Sequence, residues 1–133
     1  MIAGRKVMNK KRGLLAVVSG FSGSGKSTVT KRLAEEYDGY VLSVSATTRL
    51  PRTGERDGVE YFFRTEEEFN CMIRENVFLE YAFYVNHGYG TPSAFVEQMR
   101  EAGKDVLLEI DMQGAMKVRE KCPDAVLVFI TTP

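Results

Sequence analysis

The chain has 133 residues, 44% hydrophobic and 27% charged, with 18 basic side chains balanced by 18 acidic ones. That is the composition of one globular domain: it excludes disorder as the main state, and zero net charge excludes bulk electrostatic capture of nucleic acid or an anionic membrane. Cys71 and Cys122 lie far apart in no metal-ligand spacing, and no apolar run approaches the ~20 residues that span a bilayer, so the sequence predicts a soluble cytoplasmic protein.

Residues 1–13 carry Arg5, Lys6, Lys10, Lys11 and Arg12 without periodicity and read as a basic, flexible leader. Residues 14–18 form a continuous apolar run between Gly13 and Gly20, the pattern of a strand buried on both faces. Two similar runs follow at 106–110 and 125–130. A helix over 26–37 places Val29, Leu33 and Tyr37 on one stripe. A second, over 65–76, aligns Phe69, Met72 and Ile73, with Thr65 and Glu68 set as a capping box. Pro92 at the first helical position and Gly103 past the end bracket a third helix at 92–102, and a fourth over 113–121 stops before Pro123. The segments 61–63 and 78–85 are aromatic and β-prone. Strands and helices alternate, which predicts the α/β class: a parallel sheet with helices on both faces at 14–44 and 92–133, and a small mixed α/β lobe inserted at 45–91.

Gly20-Phe21-Ser22-Gly23-Ser24-Gly25-Lys26-Ser27 fits G-x-x-x-x-G-K-[ST] between a buried strand and a helix, the context this phosphate-binding loop requires. Glycines let successive N–H groups turn toward phosphate oxygens, and the helix N-terminus adds its positive end. Lys26 supplies charge to the transferring phosphate and the Ser27 hydroxyl suits Mg²⁺. The expected phosphate-binding site is Gly20, Ser22, Gly23, Ser24, Gly25, Lys26, Ser27 and Thr28.

Asp111 follows the 106–110 strand at its C-terminal end, where ligands sit in open α/β sheets. It reads either as a turn former or as a carboxylate holding Mg²⁺ through water, and the phosphate loop favours the second. Glu109 points the same way along the pleat and needs a partner, Lys, Arg or a ligand. Arg49 and Arg52, three apart around Pro51, either are solvated or clamp a second phosphate. Two phosphate sites in one chain suggest transfer between two phosphorylated ligands.

The spacing Thr47-Thr48-Arg49, Arg52, Glu55, Gly58, Tyr61 and Phe63, downstream of this loop, resembles the signature of guanylate kinases, over nearly the whole chain after the leader. The resemblance implies transfer of the γ-phosphate of ATP to GMP, with Mg²⁺, giving ADP and GDP. It implies that Arg49, Arg52, Tyr61 and Tyr89 hold the GMP phosphate and that Ser45, Glu80 and Thr91 read guanine, with Glu109 and Asp111 completing the site. Lys26, Arg49, Arg52 and Asp111 are the expected catalytic set. Guanine presents paired donors that a carboxylate such as Glu80 accepts, whereas adenine does not.

Asn86-His87-Gly88 departs from the family's glycine, asparagine, aromatic sequence, with His87 expected in an exposed loop. Family members also continue beyond the position of Pro133 into an arginine-bearing lid and a last parallel strand, so the expectation is a truncated enzyme with reduced turnover that self-associates through the uncovered strand at 125–130. The alternative reading is a catalytically inactive guanylate-kinase-like binding module, which the intact Gly25, Lys26 and Ser27 disfavour.

Overall fold

A computed structural model describes residues 12–20 and 26–131. In chain order the elements are β1 (Leu15–Gly20), α1 (Lys26–Glu36), β2 (Tyr40–Leu42), β3 (Ala46–Thr47), β4 (Phe62–Phe63), α2 (Glu66–Arg74), β5 (Phe78–Tyr84), β6 (His87–Pro92), α3 (Ser93–Glu101), β7 (Asp105–Glu109), α4 (Met112–Lys121) and β8 (Val126–Ile130). They build two four-stranded sheets, ordered β2-β7-β1-β8 and β4-β3-β6-β5.

The first sheet is parallel throughout, with Leu15 beside Val106 and Ala16 beside Val126. One face, Leu15, Val17, Val106 and Leu108, packs on Val96 of α3 and on Ala115 and Val118 of α4 to form the main core. Burying each such side chain contributes about 1.5–3 kcal/mol. Arg100, only 2% exposed, ties this end together: Nε donates to the Gly13 carbonyl at 2.7 Å and a terminal nitrogen to Asp124 at 2.7 Å. Arg12 pairs with Glu97 at 2.5 Å, so the last two leader residues are held against α3; residues 1–11 lie outside the described part.

The opposite face is less covered than the apolar patterns predicted. The stripe on α1 was expected to face the core, but Val29 is 42% and Tyr37 54% exposed, while Thr30 is the buried residue, drawn in by a hydrogen bond to Glu109. Likewise the 125–130 run, whose composition reads as buried on both faces but which the family resemblance leaves uncovered, is an outer strand among the described residues, with Val126 and Val128 43% and 42% exposed. Its only strand neighbour among the described residues is β1, and an apolar groove opens between it and Val29 and Leu33.

The second sheet is mixed. β3 pairs in parallel with β4 and antiparallel with β6, and β5 and β6 form a hairpin whose turn, Val85-Asn86, has φ of 49° and 67°. Both turn residues need positive φ, as tight two-residue hairpin loops do. His87 is therefore not in an exposed loop: it is half-buried at the start of β6, across from Tyr84. The composition of β6, with two glycines and a proline, gave no strand signal; its cause is packing. A Cβ on Gly88 would lie 2.6 Å from the Phe69 ring and one on Gly90 2.7 Å from the Phe78 ring, so only bare backbone lets these mutually tilted rings, 4.9 Å apart between centroids, lie on the strand.

Local signals set most helix ends. The Thr65 hydroxyl accepts from Glu68 N–H at 3.0 Å and the Glu68 carboxylate accepts from Thr65 N–H at 2.8 Å, the expected capping box. Pro92 is the N-cap of α3 and the last residue of β6, so the helix starts one place later than expected, where the Ser93 N–H and hydroxyl both donate to the Val77 carbonyl. Gly103, at φ 85°, follows the end of α3 as expected.

Candidate active site

The C-terminal ends of β1 and β7 converge beside the second sheet. β1 ends at Gly20 and α1 begins at Lys26, so the phosphate-loop motif falls between strand and helix. Residues 21–25, and the side chains of Lys26 and Ser27, lie outside the described residues; Thr28 is exposed on the first turn of α1. Thr30, two residues further, donates from its hydroxyl to Glu109 Oε1 at 3.0 Å. Thr30 is thus one partner of Glu109 among the described residues.

A cavity of about 170 Å³ opens between the end of β7 and the second sheet, lined by Ser45, Tyr61, Glu80, Tyr84, Tyr89, Glu109 and Asp111, with Ala82, Gly90 and Ile110. Six of the nine residues expected around the acceptor line this one space: Ser45, Tyr61, Glu80, Tyr89, Glu109 and Asp111. Glu80 comes from β5, a strand of the second sheet whose Phe78 packs in that sheet's own cluster and whose Leu79 packs in the main core.

Glu80 is only 9% exposed, and its Oε2 accepts from the Thr91 hydroxyl at 2.9 Å. Burial pushes its carboxyl above the usual range, against the Thr91 hydrogen bond; the negative charge of Asp111 raises it further and Lys117 lowers it. Thr91 itself is fully buried and reaches the cavity only through Glu80.

Asp111 caps α4. Its Oδ1 accepts from Gly114 N–H at 2.7 Å, while Oδ2 accepts from the Tyr84 hydroxyl on the facing hairpin. The turn-former role weighed for this residue is real, and it coexists with a place in the cavity wall. The hydrogen bond to Asp111, with burial second, pushes the Tyr84 phenol up to about 12. Each Asp111 oxygen already takes a protein donor, which suits a carboxylate that holds a metal through water. Among the described residues no three metal-ligating side chains cluster.

The two arginines do not form a symmetric clamp. Arg49 sends both terminal nitrogens to Glu55, at 2.9 and 3.1 Å, and its guanidinium lies 5.1 Å above the Tyr61 ring and 6.0 Å from that of Phe63. The side chain of Arg49 is 12% exposed, whereas Arg52 is exposed and contributes its backbone N–H to Glu55 Oε1 at 2.8 Å. The Arg49 hydrogen bond, then the Arg52 N–H, lower the Glu55 carboxyl to about 2, and Glu55 in turn raises Arg49.

Residue patterns had not marked Tyr84 or Thr30 for the site, and had placed Glu55 in the signature without a role. For Tyr84 the signal was present: positions 80, 82 and 84 share one face of a strand. Thr30 carried none, because its role depends on a strand 79 residues away.

The guanylate kinase family profile matches residues 12–133. The guanylate kinase of Caldanaerobacter subterraneus subsp. tengcongensis is 56% identical over 124 residues, 93% of this chain and 60% of that protein. That of Clostridioides difficile is 55% identical over 123 residues, again 60% of its length. The crystal structure of guanylate kinase from Anaplasma phagocytophilum superimposes with a TM-score of 0.72 at 36% identity, covering 90% of this chain and 61% of that one. This chain therefore spans about 60% of the length of these relatives. With the phosphate-loop motif between β1 and α1 and a match from residue 12 onward, the chain belongs to the guanylate kinase family.

Proposed function

We propose that this chain binds GMP in the cavity beside β7 and takes part in the transfer of the γ-phosphate of ATP to it, giving ADP and GDP, in the cytoplasm. The observation that carries this reading is Glu80: a desolvated carboxylate at a cavity wall, one oxygen held by Thr91. Paired guanine N–H donors satisfy such a group, whereas adenine would leave it unmet, so AMP is rejected. Ser45, which lines the same cavity, meets the base, and Tyr61, Tyr89, Arg49 and Arg52 take the phosphate. In this reading residues 14–44 and 92–133 are the phosphate-loop core and 45–91 the GMP-binding lobe, supported by the two sheets and their separate apolar clusters.

Gly20 to Thr28 would cradle the ATP phosphates, with Lys26 on the transferring group. Mg²⁺ would be held by Ser27 and, through water, by Asp111; when bound it offsets phosphate charge. Self-association through β8 belongs to the same proposal, supported by the exposure of Val126 and Val128 on an edge strand. Sedimentation that gives only monomer at high concentration removes that part.

The test is Mg²⁺-dependent ADP formation with GMP, AMP, UMP or no acceptor, alongside calorimetric titration of GMP. Turnover specific to GMP and lost in Lys26→Ala is the expected result. GMP binding no tighter than AMP binding would overturn the assignment.

A further inference from the structure

Tyr84 has no role in the signature, yet it is the side chain that crosses the cleft. It stands four residues beyond Glu80 on the same face of β5, about 13 Å further along, near the cavity's mouth. Its hydroxyl meets Asp111 Oδ2, while Asp111 Oδ1 is fixed by the first turn of α4 at 2.7 Å. The carboxylate thus accepts from the first turn of α4 on one oxygen and from the β5–β6 hairpin on the other.

The ring of Tyr84 extends the connection. It lies 6.1 Å from Tyr89, Tyr89 lies 6.1 Å from Tyr61, and the guanidinium of Arg49 sits 5.1 Å above Tyr61. One line of aromatic contacts therefore runs from Asp111, just past the C-terminal end of β7, to Arg49 in the second lobe. Tyr84 is 49% exposed, so burial gives its ring little reason to be there; the hydroxyl contact is the specific feature. A phenol donating to a carboxylate is a charge-assisted bond, stronger than a neutral pair.

We propose that Tyr84 is a positioning residue: by holding Asp111 it locks the β5–β6 hairpin to the start of α4, so that the acceptor-phosphate groups and the Asp111 carboxylate keep one fixed separation. This rests on the functional reading above, since it assigns Asp111 to the side of the site that faces the ATP phosphates. Binding of GMP uses groups that all lie within the second lobe and the cavity wall, so it survives loss of the lock. Alignment of the two phosphates does not.

The experiment is a double-mutant cycle with Tyr84→Phe, which keeps the ring, and Asp111→Asn, which keeps an N-cap acceptor for Gly114 but replaces the oxygen that Tyr84 donates to. Amide hydrogen exchange across residues 84–89 is expected to quicken about tenfold in each single variant and no further in the double one. In turnover, Tyr84→Phe is expected to lower kcat about tenfold with the KM for GMP within about twofold. Exchange unchanged in Tyr84→Phe, effects that multiply in the double variant, or a rise in KM matching the fall in kcat would each overturn the proposal. Failure of the wild-type chain to bind GMP would instead remove the functional reading, and the exchange cycle would then decide the lock alone.

Discussion

A β-carbon on Gly114 would come within 2.8 Å of Glu80 Oε1: the first turn of α4 and the buried carboxylate of β5 approach as closely as they do because position 114 has no side chain. Ile110 and Asp111 stand at 3.1 and 3.2 Å from the same point. Gly114→Ala should therefore displace the carboxylate tip, which can swing away at small cost to folding. GMP affinity is expected to fall about tenfold while the unfolding free energy changes by less than about 1 kcal/mol; calorimetry and urea denaturation read the two separately.

Glu80 also sets a pH dependence. Because burial holds its carboxyl above the ordinary value of 4.5, the folded chain keeps a proton that the unfolded chain has released. Its contribution to stability is complete below pH 4.5 and declines as pH rises through the folded value. Glu80→Gln removes that decline: its urea midpoint should equal that of the wild type near about pH 4 and exceed it near about pH 8, while GMP binding is lost. A constant difference between the two proteins across this range would count against the assignment.

Glu55 behaves in the opposite sense. Held at about 2 by Arg49 and the Arg52 N–H, it contributes to the folded loop above pH 4.5 and loses that contribution as pH falls from 4.5 through about 2. Glu55→Gln keeps the shape but weakens the hold on the guanidinium. The expected result is a Kd for GMP raised about tenfold with the Kd for guanosine unchanged, since only the phosphate end depends on Arg49. Equal losses for both ligands would place Glu55 at the base instead.

The turn at Val85 carries a β-branched residue at φ 49°, where its side chain crowds the backbone, and it is 88% exposed with nothing to offset the strain. Val85→Asn should stabilise the chain by about 1 kcal/mol and leave GMP binding as it was. A thermal melt that does not move would show the strain to be relieved elsewhere.

The parts of the molecule readable from residues alone were those decided locally. Thr65 and Glu68 lie within one turn, and the 14–18 and 106–110 runs carry in their own composition the burial of Leu15, Val17, Val18 and 106–108, though Leu14 is 53% exposed. β6 was not readable, because His87-Gly88-Tyr89-Gly90 becomes a strand only where Phe69 and Phe78 need flat backbone to pack on. The stripe on α1 misled for a related reason: Thr30 is turned inward by Glu109, a partner invisible to helical periodicity. In the site, residues tied to a contiguous signature could be named, whereas Tyr84 gained its place by facing Asp111 across the cleft.

The strand order of the first sheet has a consequence for synthesis. β1 is central and is made first, yet its partners are β7 and β8, and about 90 residues separate Leu15 from Val106. At ~5–20 residues per second, the most apolar segment of the nascent chain waits on the order of 5–20 seconds for its first strand neighbour. During that interval the second lobe, whose contacts are nearer in sequence, can already form. Folding of this chain is then limited by recapture of its own N-terminal strand, which makes 14–18 the segment a chaperone would be expected to shield.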